Sequence, residues 1–157
     1  MEINPLKKGY ILKSRYIIDE VIGRGGSAFV YHAKKIIGDY TEDVLIKELC
    51  PKNMYDDLTR TDDGSITVAN DKIFNVFLHN MKSEQHTHFA LRKNGNPFVF
   101  DIHDIFSDNN TDLTAPRFLL GDDYLFINLL LKLGHVGNNA HQPVAVGKGG
   151  QGTDGLL

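Results

Sequence analysis

Cysteine is nearly absent from this chain: Cys50 is the only one in 157 residues. No internal disulfide is possible, and such a chain fits a reducing compartment. Cys50 itself reads as a small, half-buried residue rather than a reactive thiol. Positive charge is not in excess either. Against 20 Asp and Glu stand 17 Lys and Arg, a net charge of −3, which implies no general attraction to nucleic acid or an anionic membrane. No apolar run reaches the ~18 residues that a membrane span needs. The opening Met1-Glu2-Ile3-Asn4-Pro5 lacks the basic-then-apolar order of a secretory signal, so a cytoplasmic location is expected. What is present is ordinary for a packed domain. Apolar residues make up 41% and charged residues 24%, enough for one core, and the length suits one medium domain.

The chain is organised around Ile17 to Glu48. Ile17, Ile18, Val21 and Ile22 supply a first strand, and Phe29, Val30, Tyr31 and Ala33 a second. Between them sits Gly23-x-Gly25-x-x-Ala28-x-Val30. Glycines at 23 and 25 let backbone approach a ligand and permit positive φ in the turn. Such a loop presents N–H groups to phosphate oxygens. Val44-Leu45-Ile46 is a third β-prone run, closed by Lys47, whose ammonium can meet nucleotide phosphates. The spacing from Val30 to Lys47 accommodates a strand, a hairpin turn at Gly38-Asp39 and another strand. A plain hairpin with a surface lysine carries the same pattern. A dinucleotide-binding unit fits worse, because a helix should open directly after its loop and Phe29-Val30-Tyr31 reads as strand.

This combination resembles the small lobe of protein kinases, marked by G-x-G-x-x-G-x-V and the strand lysine of V-A-I-K. Ala28 stands where the third glycine is expected and Leu45 where alanine is. Ile46-Lys47-Glu48-Leu49-Cys50-Pro51, a later Arg60 and Asp63-Gly64-Ser65-Ile66 are similar to one group of bacterial serine/threonine kinases. The resemblance implies an ATP site. Gly23, Arg24, Gly25, Gly26, Ser27, Ala28, Phe29 and Val30 would cover the phosphates, and Lys47 would pair with them. Ile22, Val30 and Ile46 would line the adenine side.

The flanking segments are read as follows. Residues 1–15 form a polar, basic lead-in, best taken as a solvated terminus, with Tyr10-Ile11-Leu12 packed on the first strand. Residues 50–70 are an excursion rich in turn formers, with a short strand at Ile66-Thr67-Val68. Asp71 to Lys93 is the best helix. Asp71, next to Asn70, can cap it, and Asn94-Gly95 closes it. Ile73, Phe74, Phe77, Leu78, Met81, Gln85, His88, Phe89 and Leu91 recur at three- and four-residue spacing as one stripe. Phe77, Met81 and Phe89 are expected to be buried. His86 and His88 face different sides and cannot share a metal as an i,i+4 pair does, so no metal site is expected. Glu84 points near the stripe, where a carboxylate needs a cationic partner. In the kinase small lobe that partner is the strand lysine, so the resemblance pairs Glu84 with Lys47.

Pro97 to Phe106 is expected as a fourth strand, followed by a turn over Ser107–Thr111. Asp112 to Asp123 fits no expected element. Tyr124–Asn128 is either a displaced fifth strand or the start of a short apolar helix. From Gly134 on, the chain lacks periodicity and reads as disordered. Gly147-Lys148-Gly149-Gly150-Gln151-Gly152 matches a phosphate-loop pattern but has no room after it for the required helix. No His-Arg-Asp-x-x-x-x-Asn and no Asp-Phe-Gly is present, so the catalytic base and the Mg²⁺ ligands of the family are missing. A full two-lobed kinase needs on the order of 250 residues, by analogy with other two-layered enzymes. A truncated or frame-shifted gene would look like this, and so would a fragment.

The expected fold is α+β: an antiparallel sheet of four or five strands with one packed helix. The lobe would cover residues 1–111, extending to about 130 if a fifth strand forms, with an irregular tail over 112–157. ATP is the expected ligand. A protein partner on an exposed lobe underside is a further expectation, because an open apolar face favours association. A non-catalytic regulatory module and a nonfunctional remnant are the alternative readings.

Overall fold

The structure, a computed structural model, describes residues 3–54, 56–95 and 102–116. Eight strands and one long helix follow in the order β1 (Ile11–Leu12), β2 (Tyr16–Arg24), β3 (Ala28–Ile37), β4 (Tyr40–Leu49), β5 (Leu58–Arg60), β6 (Ile66–Val68), α1 (Asp71–Lys93), β7 (Ile102–Asp108) and β8 (Thr111–Pro116). A short 3₁₀ turn at Lys52–Met54 separates β4 from β5.

Six of the strands form one antiparallel sheet in the order β1-β2-β3-β4-β8-β7, and β5 pairs with β6. The count corrects the expected four or five. Two strands make the difference. Ile11–Leu12 does more than pack on β2: it pairs with it, Ile11 opposite Ile17 and Leu12 opposite Tyr16. Thr111–Pro116, most of it assigned to an irregular tail, is strand and inserts between β4 and β7, Lys47 opposite Thr114 and Glu48 opposite Leu113. Of the expected fourth strand, 97–106, residues 102–106 lie in β7 at the edge of the sheet and residues 97–101 lie outside the described residues, while the hairpin partner of β7 is the segment that matched nothing. The possible strand at Tyr124–Asn128, the tail beyond Gly134 and the Gly147–Gly152 loop lie outside the described residues.

Turn chemistry fixes the hairpins. Gly38 takes φ of 59° at the first central position of the β3–β4 turn, with Ile37 opposite Tyr40, where a two-residue loop requires a left-handed residue. Asn109 and Asn110 both have positive φ between Asp108 and Thr111. That is the type I′ pattern, and asparagine tolerates it better than most residues.

Side-chain alternation sorts the central strands into two faces. Phe29, Tyr31, Ala33, Val44, Ile46 and Glu48 share one face through their cross-strand pairs, and Ala28, Val30, Leu45 and Lys47 the other. The first face carries the main core with Leu12, Tyr16, Ile18, Leu58 and Ile66. Ile3 and Leu6 are buried in that core, which corrects the reading of residues 1–15 as a solvated terminus. Tyr16 on β2 stacks on Phe106 of the edge strand β7 with ring centroids 5.1 Å apart.

Helix α1 is capped by Asn70, whose side-chain oxygen accepts from Ile73 N–H, rather than by Asp71. Its buried residues are Phe74, Met81 and Gln85, with Phe77 and Leu78 partly buried. Phe89 is 48% exposed, against expectation. It lies at the edge of the apolar arc, a full turn past Gln85. Among the described residues no helix is long and apolar enough to cross a membrane.

Candidate functional site

Lys47 and Glu84 meet. Lys47 Nζ donates to Glu84 Oε1 at 2.7 Å, and the pair is 37 positions apart in sequence. The Lys47 side chain is 6% exposed and that of Glu84 31%. Strand parity puts Lys47 on the face shared with Val30, and the helix stripe turns Glu84 toward it. Burial lowers the pKa of His88, one turn beyond Glu84 on α1. The Glu84 charge opposes that shift and the Lys47 charge adds to it.

The glycine loop is held from its carbonyl side. Gly25 N–H donates to Ala28 O at 2.9 Å and closes the turn, while Cys50 N–H and Lys52 N–H donate to Ser27 O and Gly26 O at 2.8 Å each. The amides of Gly26 and Ser27 have no backbone partner among the described residues. They are the donors the loop can offer to an anion. None of Gly23, Gly25 and Gly26 takes a positive φ, so left-handed geometry is not what glycine supplies here.

The remaining expected residues divide. Gly23 lies opposite Val30, and Val30 lies opposite Lys47. Ile22 sits half-buried in a register shift between Val21 and Gly23. Ala28 shares the Lys47 face. Arg24 and Phe29 do not. Arg24 Nη1 donates to Ile3 O at 3.1 Å, its guanidinium covers the Phe29 ring at 4.1 Å, and Phe29 belongs to the main core. Ile46 faces that core as well. Leu45, two residues before Lys47, occupies the Lys47 face instead. Alternation along β4 carried that signal, since Leu45 and Lys47 share parity and Ile46 does not. Val30 and Leu45 are each 1% exposed, so the expected open underside is not found at these positions.

On the opposite face of β4 from Lys47, a second charge cluster is buried beside the main core. Glu48 is fully buried. Arg60 grips it with two bonds, Nη1 to Oε1 at 3.0 Å and Nη2 to Oε2 at 2.8 Å. Tyr31 O–H donates to Oε2 at 2.7 Å and accepts from Leu6 N–H at 3.1 Å. Arg60 also donates to Asn4 O and Gly64 O. Burial works against the Arg60 charge, but the Glu48 carboxylate more than offsets it and the pKa is raised. Burial, then the Glu48 charge, pushes the Tyr31 pKa up. Burial also pushes the Cys50 thiol up to about 12, which makes it an inert core residue. This cluster ties the amino-terminal segment and the β5–β6 hairpin to the strand that carries Lys47. Sequence patterning flagged Glu48 and Arg60 separately but did not pair them.

The solved structure of PpkA-294 in its apo form is similar to this chain, at 25% identity and a TM-score of 0.60, over 75% of this chain. The chain spans 40% of the length of that structure. No family model and no curated protein matches the chain. The structural likeness supports a kinase-like fold: a mostly antiparallel sheet with one helix, as in a kinase N-lobe, here built on six strands.

Proposed function

We propose that this lobe binds ATP in the manner of a bacterial serine/threonine kinase N-lobe and does not by itself transfer phosphate. The observation that carries this reading is the Lys47–Glu84 pair at 2.7 Å, next to a loop whose Gly26 and Ser27 amides have no backbone partner among the described residues. A lysine held by a carboxylate keeps its ammonium fixed while its other N–H donors can meet phosphate oxygens. Gly23 to Val30 covers the phosphates, and Val30 with Leu45 lines the adenine side. Because both are buried, binding must uncover them, which lowers the apparent affinity by the fraction of molecules that is open.

Phosphoryl transfer is not expected. The residue that accepts the substrate hydroxyl proton and the residues that hold Mg²⁺ have no counterpart in the 157 residues. On this reading the chain acts as a nucleotide-binding lobe.

Equilibrium titration with ATP tests the reading. Saturable binding is expected for the parent chain, with a loss of at least tenfold in Lys47→Ala while circular dichroism stays native. Binding that is indifferent to Lys47→Ala, or none at millimolar ATP, overturns it.

A further inference from the structure

Helix α1 holds the sheet with two consecutive side chains. Glu84 takes Lys47 on β4. Gln85 Nε2 donates to Thr114 Oγ1 on β8 at 2.8 Å. Lys47 and Thr114 are themselves directly opposite partners in the β4–β8 ladder. Two adjacent helix residues thus grip the two members of one rung, on neighbouring strands β4 and β8.

The geometry limits what the helix can do. Successive helical residues point about 100° apart, so the two grips resist different rotations. A roll that swings Glu84 outward also pulls Gln85 off Thr114. Gln85 is 4% exposed and Thr114 6%, so breaking that bond strands a carboxamide and a hydroxyl away from water, which is costly. The Lys47–Glu84 pair is open to water on the Glu84 side and holds the helix less firmly by itself. A third contact, Lys82 Nζ to Asp112 Oδ2 at 3.5 Å, is made by a 60% exposed lysine and adds little.

We propose that Gln85 and Thr114 are positioning residues that lock the register of α1, so that Glu84 meets Lys47 without help from a second lobe. The functional meaning of the lock rests on the ATP-site reading. Its existence does not, and the test separates the two.

The test is a double-mutant cycle on the full chain, with Lys47→Met and Glu84→Gln, read by urea unfolding without nucleotide. It is run in the parent, Thr114→Val, Gln85→Leu and Thr114→Ser backgrounds. The lock predicts that the Lys47–Glu84 coupling falls at least twofold in Thr114→Val and in Gln85→Leu, and returns in Thr114→Ser, which keeps the hydroxyl. A merely structural bond would lower overall stability and leave the coupling unchanged, and that result overturns the proposal. If Gln85→Leu does not fold, the near-isosteric Thr114→Val alone carries the cycle. ATP titration of the same variants is scored separately. Absence of ATP binding in the parent removes the function reading, while the coupling decides the lock.

Discussion

Lys47 and Glu48 are neighbours on β4 whose charges are neutralised on opposite faces of one sheet. Lys47 turns to Glu84 on the helix at 2.7 Å, and Glu48 turns to Arg60 at 2.8 Å. The period of two in a strand makes this unavoidable. Two adjacent ionisable residues on a central strand must each find a partner on a different layer. The β5–β6 hairpin supplies one and α1 the other. A shift of β4 by one residue would exchange the two partners and leave both charges facing their own sign.

The two partners in the Lys47–Glu84 pair are unequally buried, and that sets the first expected outcome. Glu84→Ala strands an ammonium whose side chain is 6% exposed, at a cost of roughly 1–3 kcal/mol. Lys47→Met leaves a carboxylate that reaches water and keeps most of the buried stem, so it costs less. Urea midpoints rank the two variants, and the opposite order contradicts the burial argument.

The Glu48–Arg60 pair is buried on both sides, at 0% and 8% side-chain exposure. Arg60→Ala should destabilise by about 3–5 kcal/mol, because an uncompensated carboxylate remains. The double change Glu48→Leu with Arg60→Met removes both charges and should recover much of that loss. Chemical denaturation of the three variants checks both statements.

Phe74 and Phe89 stand on the same helix in different surroundings. Phe74 is 4% exposed and Phe89 48%. Phe74→Ala should cost about 3–5 kcal/mol, whereas Phe89→Ala should stay within about 0.5 kcal/mol. Equal losses on thermal or urea unfolding would place the core on the wrong part of α1.

Stability should also depend on His88. Burial lowers its folded pKa below the ordinary value, so the unfolded chain binds its proton first as pH falls. Stability from this group is therefore fully present above about pH 6.5 and is lost as pH drops through the lowered folded pKa. His88→Gln should flatten that part of the stability–pH curve, and an unchanged slope assigns the dependence elsewhere.

The elements that carry the site were legible because their signals are local. Helix α1 was readable from end to end, since three- and four-residue spacing persists from Ile73 to Leu91. The Gly38-Asp39 turn was readable from its residue types. Pairing Lys47 with Glu84 needed a family resemblance, because no periodicity links positions so distant. Three things were not legible. Thr111–Pro116 has no alternating pattern, because this strand lies between β4 and β7 with Leu113, Thr114 and Ala115 all buried. The burial of Ile3 and Leu6 depends on Arg24 and Arg60 reaching the backbone of Ile3 and Asn4. Gln85 was counted within an apolar stripe, although its partner Thr114 lay in the unread strand.

The most direct measurement of the central claim is labelling by an acyl-phosphate derivative of ATP, which acylates a lysine lying beside bound phosphates, followed by peptide mass spectrometry. The account predicts that Lys47 is the labelled lysine and that excess ATP protects it. Labelling at Lys148 or other lysines in place of Lys47, or labelling of Lys47 that excess ATP does not reduce, would contradict it.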